Sequence, residues 1–316
     1  MQIIRSLNEK RKIKSQDKCS VALGFFDGVH IGHRAVINET VRVAHKMGYV
    51  PTVFTMLQSP KSVLTGEKIG SVLTLHEKLK IFKQLGIECA YVIDFRDIRY
   101  ISAQNFVKDV LCDTIGSGHV VCGFNYHFGN GGTANGETLH ELCQKYGISA
   151  SVKERIEYSG VSVSSTRIRE CIANGDIACA NTMLGREYGY CLPVIHGKKL
   201  GRKLGTPTIN QQFPSELLTP PFGVYVSYAI IKDTEYFGVT NIGIKPTITT
   251  SDSQGIQIET WFPDYHGEEL YGQTIDLRLI KKLRSEKKFN NINELREQII
   301  RDTDIARKIY RLNRDG

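Results

Sequence analysis

Apolar residues recur along this chain with two different rhythms, and the change of rhythm divides it. Over residues 1–184, short apolar runs alternate with stretches in which apolar side chains return every three or four positions. The runs at 20–23, 49–54, 90–93, 119–123 and 149–153 predict buried strands, and the stretches at 33–47, 75–84, 103–111 and 139–146 predict helices. In 75–84, Leu75, Leu79 and Phe82 fall on one helical face. Strands separated by helices imply right-handed βαβ units and a parallel sheet. In such sheets ligands bind at the carboxyl ends of the strands. Two short helices at 166–174 and 176–184 are expected to close this half.

After residue 184 the helical rhythm stops. Strand-like runs follow at short spacing, at 192–195, 224–231, 236–239, 256–262 and 274–280, with turn residues such as Lys232-Asp233-Thr234 between them. Many strands and few helices predict a small antiparallel barrel. The tail at 292–312 regains helical periodicity, with Leu295, Ile299 and Ile305 on its expected inner face. The chain is therefore expected to hold two domains, 1–184 and 185–316, which suits its 316 residues. Neither an internal repeat nor a low-complexity segment interrupts this plan.

Composition narrows the class without choosing the chemistry. A hydrophobic fraction of 41% and a charged fraction of 23% are ordinary for a globular protein. There is no apolar run of membrane-spanning length and no secretory h-region near the N-terminus, so a cytoplasmic protein without a membrane partner is expected. The cysteines Cys19, Cys89, Cys112, Cys122, Cys143, Cys171, Cys179 and Cys191 form no CxxC pair and no zinc spacing. Indifferent free thiols are expected. Of the net charge of +8, five units lie in 1–184 (22 basic against 17 acidic) and three in 185–316 (19 against 16). So dispersed an excess argues against a nucleic-acid groove and is compatible with polyphosphate substrates. Nothing in the sequence decides between a monomer and a homo-oligomer.

The strongest local feature is Gly24-Phe25-Phe26-Asp27-Gly28-Val29-His30-Ile31-Gly32-His33, which follows a predicted strand and opens a helix. Unpaired backbone N–H groups and the positive end of the helix dipole face the ligand side there. Gly28 and Gly32 let the backbone turn tightly and approach a phosphate. His30 and His33 can add imidazole donors from the same side. The cradle has no Walker lysine, since no GxxxxGK[ST] occurs. A second feature is Ser164-Ser165-Thr166-Arg167-Ile168-Arg169. A Ser/Thr cluster before a helix is an N-cap signal, but arginines in the first turns oppose the helix dipole. An anionic ligand would resolve that conflict.

These motifs, together with Gly123-Phe124-Asn125-Tyr126-His127-Phe128-Gly129, resemble those of the bacterial bifunctional riboflavin kinase/FAD synthetases, and HxGH alone resembles the wider nucleotidylyltransferase superfamily. In the second half, Gly201-Arg202-Lys203-Leu204-Gly205-Thr206-Pro207-Thr208-Ile209-Asn210 is similar to the riboflavin kinase signature GRxLGxPTxN. Asn241-Ile242-Gly243 with Lys245-Pro246-Thr247, then Glu259, Leu270-Tyr271-Gly272 and Leu283-Arg284-Ser285-Glu286 with Phe289, continue the series. The resemblance runs from about residue 18 to about 308. It implies a Rossmann-like α/β nucleotidyltransferase domain with a parallel sheet, followed by a small antiparallel β-barrel domain with a C-terminal helix. It also implies riboflavin, FMN, FAD and ATP as partners and Mg²⁺ as cofactor.

By the same resemblance, Gly24, Phe26, Asp27, Gly28, His30, Gly32, His33, Asn125, Ser164, Ser165, Thr166 and Arg169 would bind one ATP, with His30, His33 and Arg169 acting in catalysis. Gly201, Gly205, Thr208 and Asn210 would bind the other, Thr208 and Asn210 also holding Mg²⁺. Phe128, Arg284, Glu286 and Phe289 would contact flavin. The chain departs from the family pattern at Phe54-Thr55-Met56-Leu57-Gln58-Ser59-Pro60, at Thr206 and at Trp261.

The chemistry of the two half-reactions fits these residues. A flavin 5′-hydroxyl is a very weak acid, and a positioned carboxylate can accept its proton late in phosphoryl transfer; Glu259 is the candidate base. An FMN phosphate is already an anion and needs no base to attack the α-phosphorus of ATP. That step needs fixed donors around the leaving pyrophosphate, which His30, His33, the helix end and Arg169 can supply. Two alternatives remain open: an enzyme with only one of the two activities, or a flavin-binding regulator on the same scaffold.

Overall fold

The computed structural model describes residues 1–9, 11–12, 17–197, 205–244 and 255–315. The chain divides into two compact units, Met1–Ser165 and Thr166–Gly316.

In the first unit the elements run β1 (Gln2–Ile4), β2 (Cys19–Leu23), α1 (Ile31–Met47), β3 (Val50–Met56), α2 (Pro60–Thr65), α3 (Leu75–Gln84), β4 (Cys89–Ile93), α4 (Phe95–Ile98), α5 (Ala103–Asn105), β5 (Ser117–Gly123), α6 (Gly136–Lys145), β6 (Ser149–Lys153) and the hairpin β7 (Glu157–Tyr158) and β8 (Val161–Ser162). The expected parallel sheet is present, in the order β1-β4-β3-β2-β5-β6. Alternation along β2 distributes its side chains to two cores. Val21 and Leu23 join Phe54, Tyr91 and Phe106 on one side, while Ala22 joins Phe26, Ile37 and Phe82 on the other. A strand buried on both faces reads as a continuous apolar run, which is why β2 to β5 were legible. The helix expected at 103–111 continues past Asn105 as a wider helix over Phe106–Ile115, where Thr114 Oγ1 donates to Asp109 O at 2.7 Å.

The strand order reverses between β2 and β5. At such a switch point neighbouring loops diverge and leave a crevice outside the carboxyl ends. The Gly24–His30 loop follows β2, and the Phe124–Gly129 segment follows β5. Topology alone brings these two motifs to one place.

The second unit runs α7 (Ser165–Ala173), α8 (Ile177–Leu184), β9 (Tyr188–Pro193), β10 (Thr208–Gln212), β11 (Gly223–Ile231), β12 (Thr234–Ile244), β13 (Ile256–Trp261), β14 (Thr274–Arg284) and α9 (Ile292–Asp315). Its six-stranded sheet is antiparallel throughout, in the order β10-β13-β12-β11-β14-β9. The outer strands meet across a seam. Ile195 N donates to Asn210 O at 2.7 Å, and the buried Gln211 amide donates to Leu192 O at 2.7 Å and Ile275 O at 3.1 Å. Inside, the hydroxyls of Ser227, Thr240 and Thr260 bridge three strands at 2.7 and 2.8 Å. The β11–β12 connection is the expected tight turn, with Lys232 and Asp233 both at positive φ.

Two expectations change. Helices α7 and α8, expected to close the first half, belong to the second unit, where the Asn181 amide donates to Leu279 O at 2.9 Å and accepts from Tyr188 N at 2.7 Å. On α9, Ile305 is 52% exposed, and the inner face is formed instead by Asp302, Thr303 and Ala306, with Ile309 and Tyr310 half-buried. Asp302 supplies the reason: it is buried to receive a bidentate Arg284 guanidinium at 2.6–3.1 Å, and that pairing sets the helix rotation.

Candidate functional sites

The first site forms where β2 ends. Phe26 takes a left-handed conformation (φ 56°, ψ 36°), Gly28 follows at φ 78°, and Val29, a β-branched residue, at φ 41°. Such backbone costs of order 1–3 kcal/mol for a residue other than glycine and persists only where surroundings hold it. Those surroundings are visible. The buried Asp27 carboxylate accepts from Val72 N at 2.9 Å, Ser165 Oγ donates to Asp27 O at 2.8 Å, and the Phe26 ring packs edge-on to Phe82. The loop thus delivers His30 to the N-cap of α1. There its Nδ1 accepts from His33 N at 3.2 Å. An accepting Nδ1 places the neutral ring's proton on Nε2, which makes that atom a donor. The His30 and His33 rings stack, centroids 3.6 Å apart and 17° from parallel, and Phe26 meets His33 edge-on at 5.2 Å. A methyl on Gly32 would press on the His30 ring. Two imidazoles and a helix N-terminus are therefore pre-arranged, as an oxyanion or pyrophosphate requires.

The remaining residues expected here divide. Asn125 is exposed just beyond β5, its carbonyl meeting His127 Nδ1 at 3.1 Å. Phe128 is 7% exposed, stacks with Tyr126 and meets Phe106 at a tilt in the core, so its ring serves packing, while Phe124 stands 48% exposed at the strand end. Ser164 and Ser165 belong to the first unit, whereas Thr166 and Arg169 stand on α7 in the second. Sequence reading missed Lys78 on α3. It is 5% exposed, and its Nζ donates to Phe25 O at 3.1 Å, Thr55 Oγ1 at 3.3 Å and Met56 O at 3.3 Å. A lysine in a helical stretch reads as solvated; only the apolar Leu75, Leu79 and Phe82 around it signalled an inward face.

The second site is a matter of register. Across β10, β13 and β12, Asn210 pairs with Glu259 and Glu259 with Asn241, so these three form one row. Thr208 pairs with Trp261, two positions along each strand, and lies on the same face. That face is opposite the Ser227–Thr240–Thr260 hydroxyls. Asn210 is 5% exposed and Glu259 half-buried. A methyl on Gly197 would collide with the Asn210 amide, so only glycine lets that amide pack against the backbone there. A cleft of about 380 Å³ borders Thr208, lined also by Val194, Phe262, Tyr265 and Tyr271. Glu286 lies with its carboxylate over Gly243, and Phe289 is half-buried. Arg284 is occupied with Asp302, so it anchors this segment to α9. Gly205 is described as an exposed turn at φ 75°; Gly201 and Lys245-Pro246-Thr247 lie outside the described residues.

The cysteines depart from expectation at one place. The turn at Gly175 folds α8 back on α7, so that Cys171 Sγ lies 3.2 Å from Cys179 Sγ. With Asp176 they form the only group of potential metal ligands found among the described residues, their donor atoms all within 4.8 Å. Burial and the neighbouring thiol push the Cys171 thiol up to about 12.

A family model described as FAD synthetase matches residues 12–167, and one described as riboflavin kinase matches 184–310. The chain is 35% identical over 301 residues to a bifunctional riboflavin kinase/FMN adenylyltransferase of Bacillus subtilis (strain 168), covering 94% of each chain. It is 30% identical over 319 residues to the protein of that name from Escherichia coli (strain K12), covering 99% of each. A crystal structure described as a macrolide-efflux protein from Streptococcus pneumoniae superposes with a TM-score of 0.84 at 25% identity, covering 97% of this chain and 99% of that one. Among the described residues, no helix is long and apolar enough to cross a membrane.

Proposed function

The chain belongs to the family of bifunctional riboflavin kinase/FMN adenylyltransferases, and from that premise we propose a division of labour between its residues. Two-step FAD synthesis uses ATP twice. Residues 185–316 transfer the γ-phosphoryl group of ATP to riboflavin, giving FMN. Residues 1–184 join the AMP moiety of a second ATP to FMN, giving FAD and pyrophosphate.

In the kinase, Glu259 accepts the proton of the flavin 5′-hydroxyl as the phosphoryl group arrives. The neutral oxygens of Thr208 and Asn210, on one face of paired strands, suit Mg²⁺, which would offset phosphate charge when bound. Glu286 and Phe289 border the flavin, and Arg284 positions them. In the adenylyltransferase, the FMN phosphate oxygen attacks the α-phosphorus and the bond to the β-phosphate oxygen breaks. His30 Nε2, His33 and the N–H groups at the start of α1 hold the departing pyrophosphate. Ser164, Ser165, Thr166 and Arg169 are assigned to the same triphosphate. We place the enzyme in the cytoplasm, where ATP and the flavin intermediates would be at hand, in keeping with its bacterial biosynthetic relatives.

The stacked His30 and His33 at the N-terminus of α1 carry this reading. Its test is incubation of the purified protein with riboflavin, ATP and Mg²⁺, the flavins being separated by chromatography. Sequential FMN and FAD are expected. FMN that accumulates without FAD would leave only the kinase; no turnover would leave a binding protein.

A further inference from the structure

We propose that Lys78 is a positioning residue for adenylyl transfer: its buried ammonium fastens the carbonyl of Phe25 to the end of β3 and so holds the His30-bearing loop in its left-handed form. The inference rests on the reading of the first unit as the adenylyltransferase.

The geometry is that of a fully used cation. Nζ has three N–H bonds and three oxygen partners, Phe25 O, Thr55 Oγ1 and Met56 O, at 3.1–3.3 Å. The Phe25 ring lies 4.6 Å from the same nitrogen. Phe25 O accepts a second bond, from Thr55 Oγ1 at 2.8 Å, so this carbonyl is held from β3 and from α3 together. It belongs to the residue directly before Phe26, where the backbone first turns left-handed. Four residues separate it from the N-cap histidine, and two of them, Phe26 and Val29, hold positive φ without being glycine. A lysine so buried is expensive, and a structure that needed only packing there would use leucine or methionine.

The charged groups facing Nζ are few. From the loop it is Asp27, whose carboxylate holds Val72 N. From β3 only Thr55 and Met56 approach, and neither is charged. On α3 itself, Glu77 is turned to the capping box with Thr74. Burial lowers the Lys78 amine to about 8, with Asp27 acting in the opposite direction. A neutral amine has two donors for three acceptors, so the clamp loosens when the proton leaves.

Stability and activity then part company. A lysine whose folded value lies below its ordinary value binds fewer protons folded than unfolded. Between about pH 8 and 10 its contribution to stability therefore rises with pH. The clamp weakens over the same range. FMN-to-FAD conversion should fall about tenfold per pH unit above pH 8 while the melting temperature of the first unit does not fall with it. In Lys78→Met, conversion at pH 7 should drop on the order of 10²-fold, the scale of losing one preorganised electrostatic contact, and the alkaline fall should vanish. Riboflavin phosphorylation serves as the internal control and should be unchanged.

Conversion at pH 7 that is unchanged in Lys78→Met overturns the proposal, as does an alkaline fall that persists in that variant. So does activity that merely tracks melting temperature. If Lys78→Met misfolds, Lys78→Gln, a neutral donor of similar reach, takes its place, and unchanged conversion at pH 7 in that variant overturns the proposal. Absence of FAD from wild-type protein at every pH would instead remove the reading of the first unit.

Discussion

The two sites place their working groups by opposite means. In the first unit the groups are set by backbone: a left-handed loop between β2 and α1 brings two stacked imidazoles to the helix N-terminus. In the barrel they are set by register: Asn210, Glu259 and Asn241 stand in one row because three antiparallel strands pair residue to residue. A loop site is sensitive to whatever pins the loop, even from behind. A register site is sensitive chiefly to the functional side chains, because strand pairing is fixed along the whole sheet.

That contrast can be broken by substitutions, taken from the largest expected effect downward. Glu259→Gln should lower riboflavin phosphorylation by on the order of 10³-fold, within the range of general-base catalysis, and leave FMN adenylylation within a factor of two; parallel assays of the two steps measure it. Equal loss of both would mean that the sites are not separate. His30→Ala should cost adenylylation about 10²-fold through one lost donor, with phosphorylation preserved, measured in the same pair of assays. Asp302→Ala leaves the Arg284 guanidinium without its carboxylate partner and should destabilise the second unit by about 3 kcal/mol, seen as a shifted denaturant midpoint for the barrel. Arg307→Ala removes an exposed pair with Asp264 and should change stability by less than about 1 kcal/mol. A shift as large as that of Asp302→Ala would show that α9 depends on its surface pairs more than on its buried one.

The sequence disclosed what periodicity and motif can carry. Strands β2 to β5 and helix α3 were legible because both cores repeat the apolar pattern. The His30 loop was legible from its glycines and paired histidines between a strand and a helix, whereas Glu259 was reached through the motif resemblance and its row with Asn210 and Asn241 only through strand register. Other features had no local signature. β1 is three residues long and is fixed by pairing with β4, far away in sequence. β10 was hidden because its Thr-Ile-Asn-Gln-Gln composition answers to the seam rather than to alternation. Ile305 was placed inward because hydrophobicity says nothing of a buried ion pair such as Arg284–Asp302. Lys78 was overlooked for the complementary reason: a charged residue is assumed wet until its partners are seen.

Asn181 has a practical consequence for dissecting the enzyme. Its amide joins α8 to both β9 and β14, so a fragment started at residue 185 would expose Leu279 O and Tyr188 N without their partner. An autonomous kinase fragment therefore has to begin upstream of α8, so that Asn181 stays with the strands it joins.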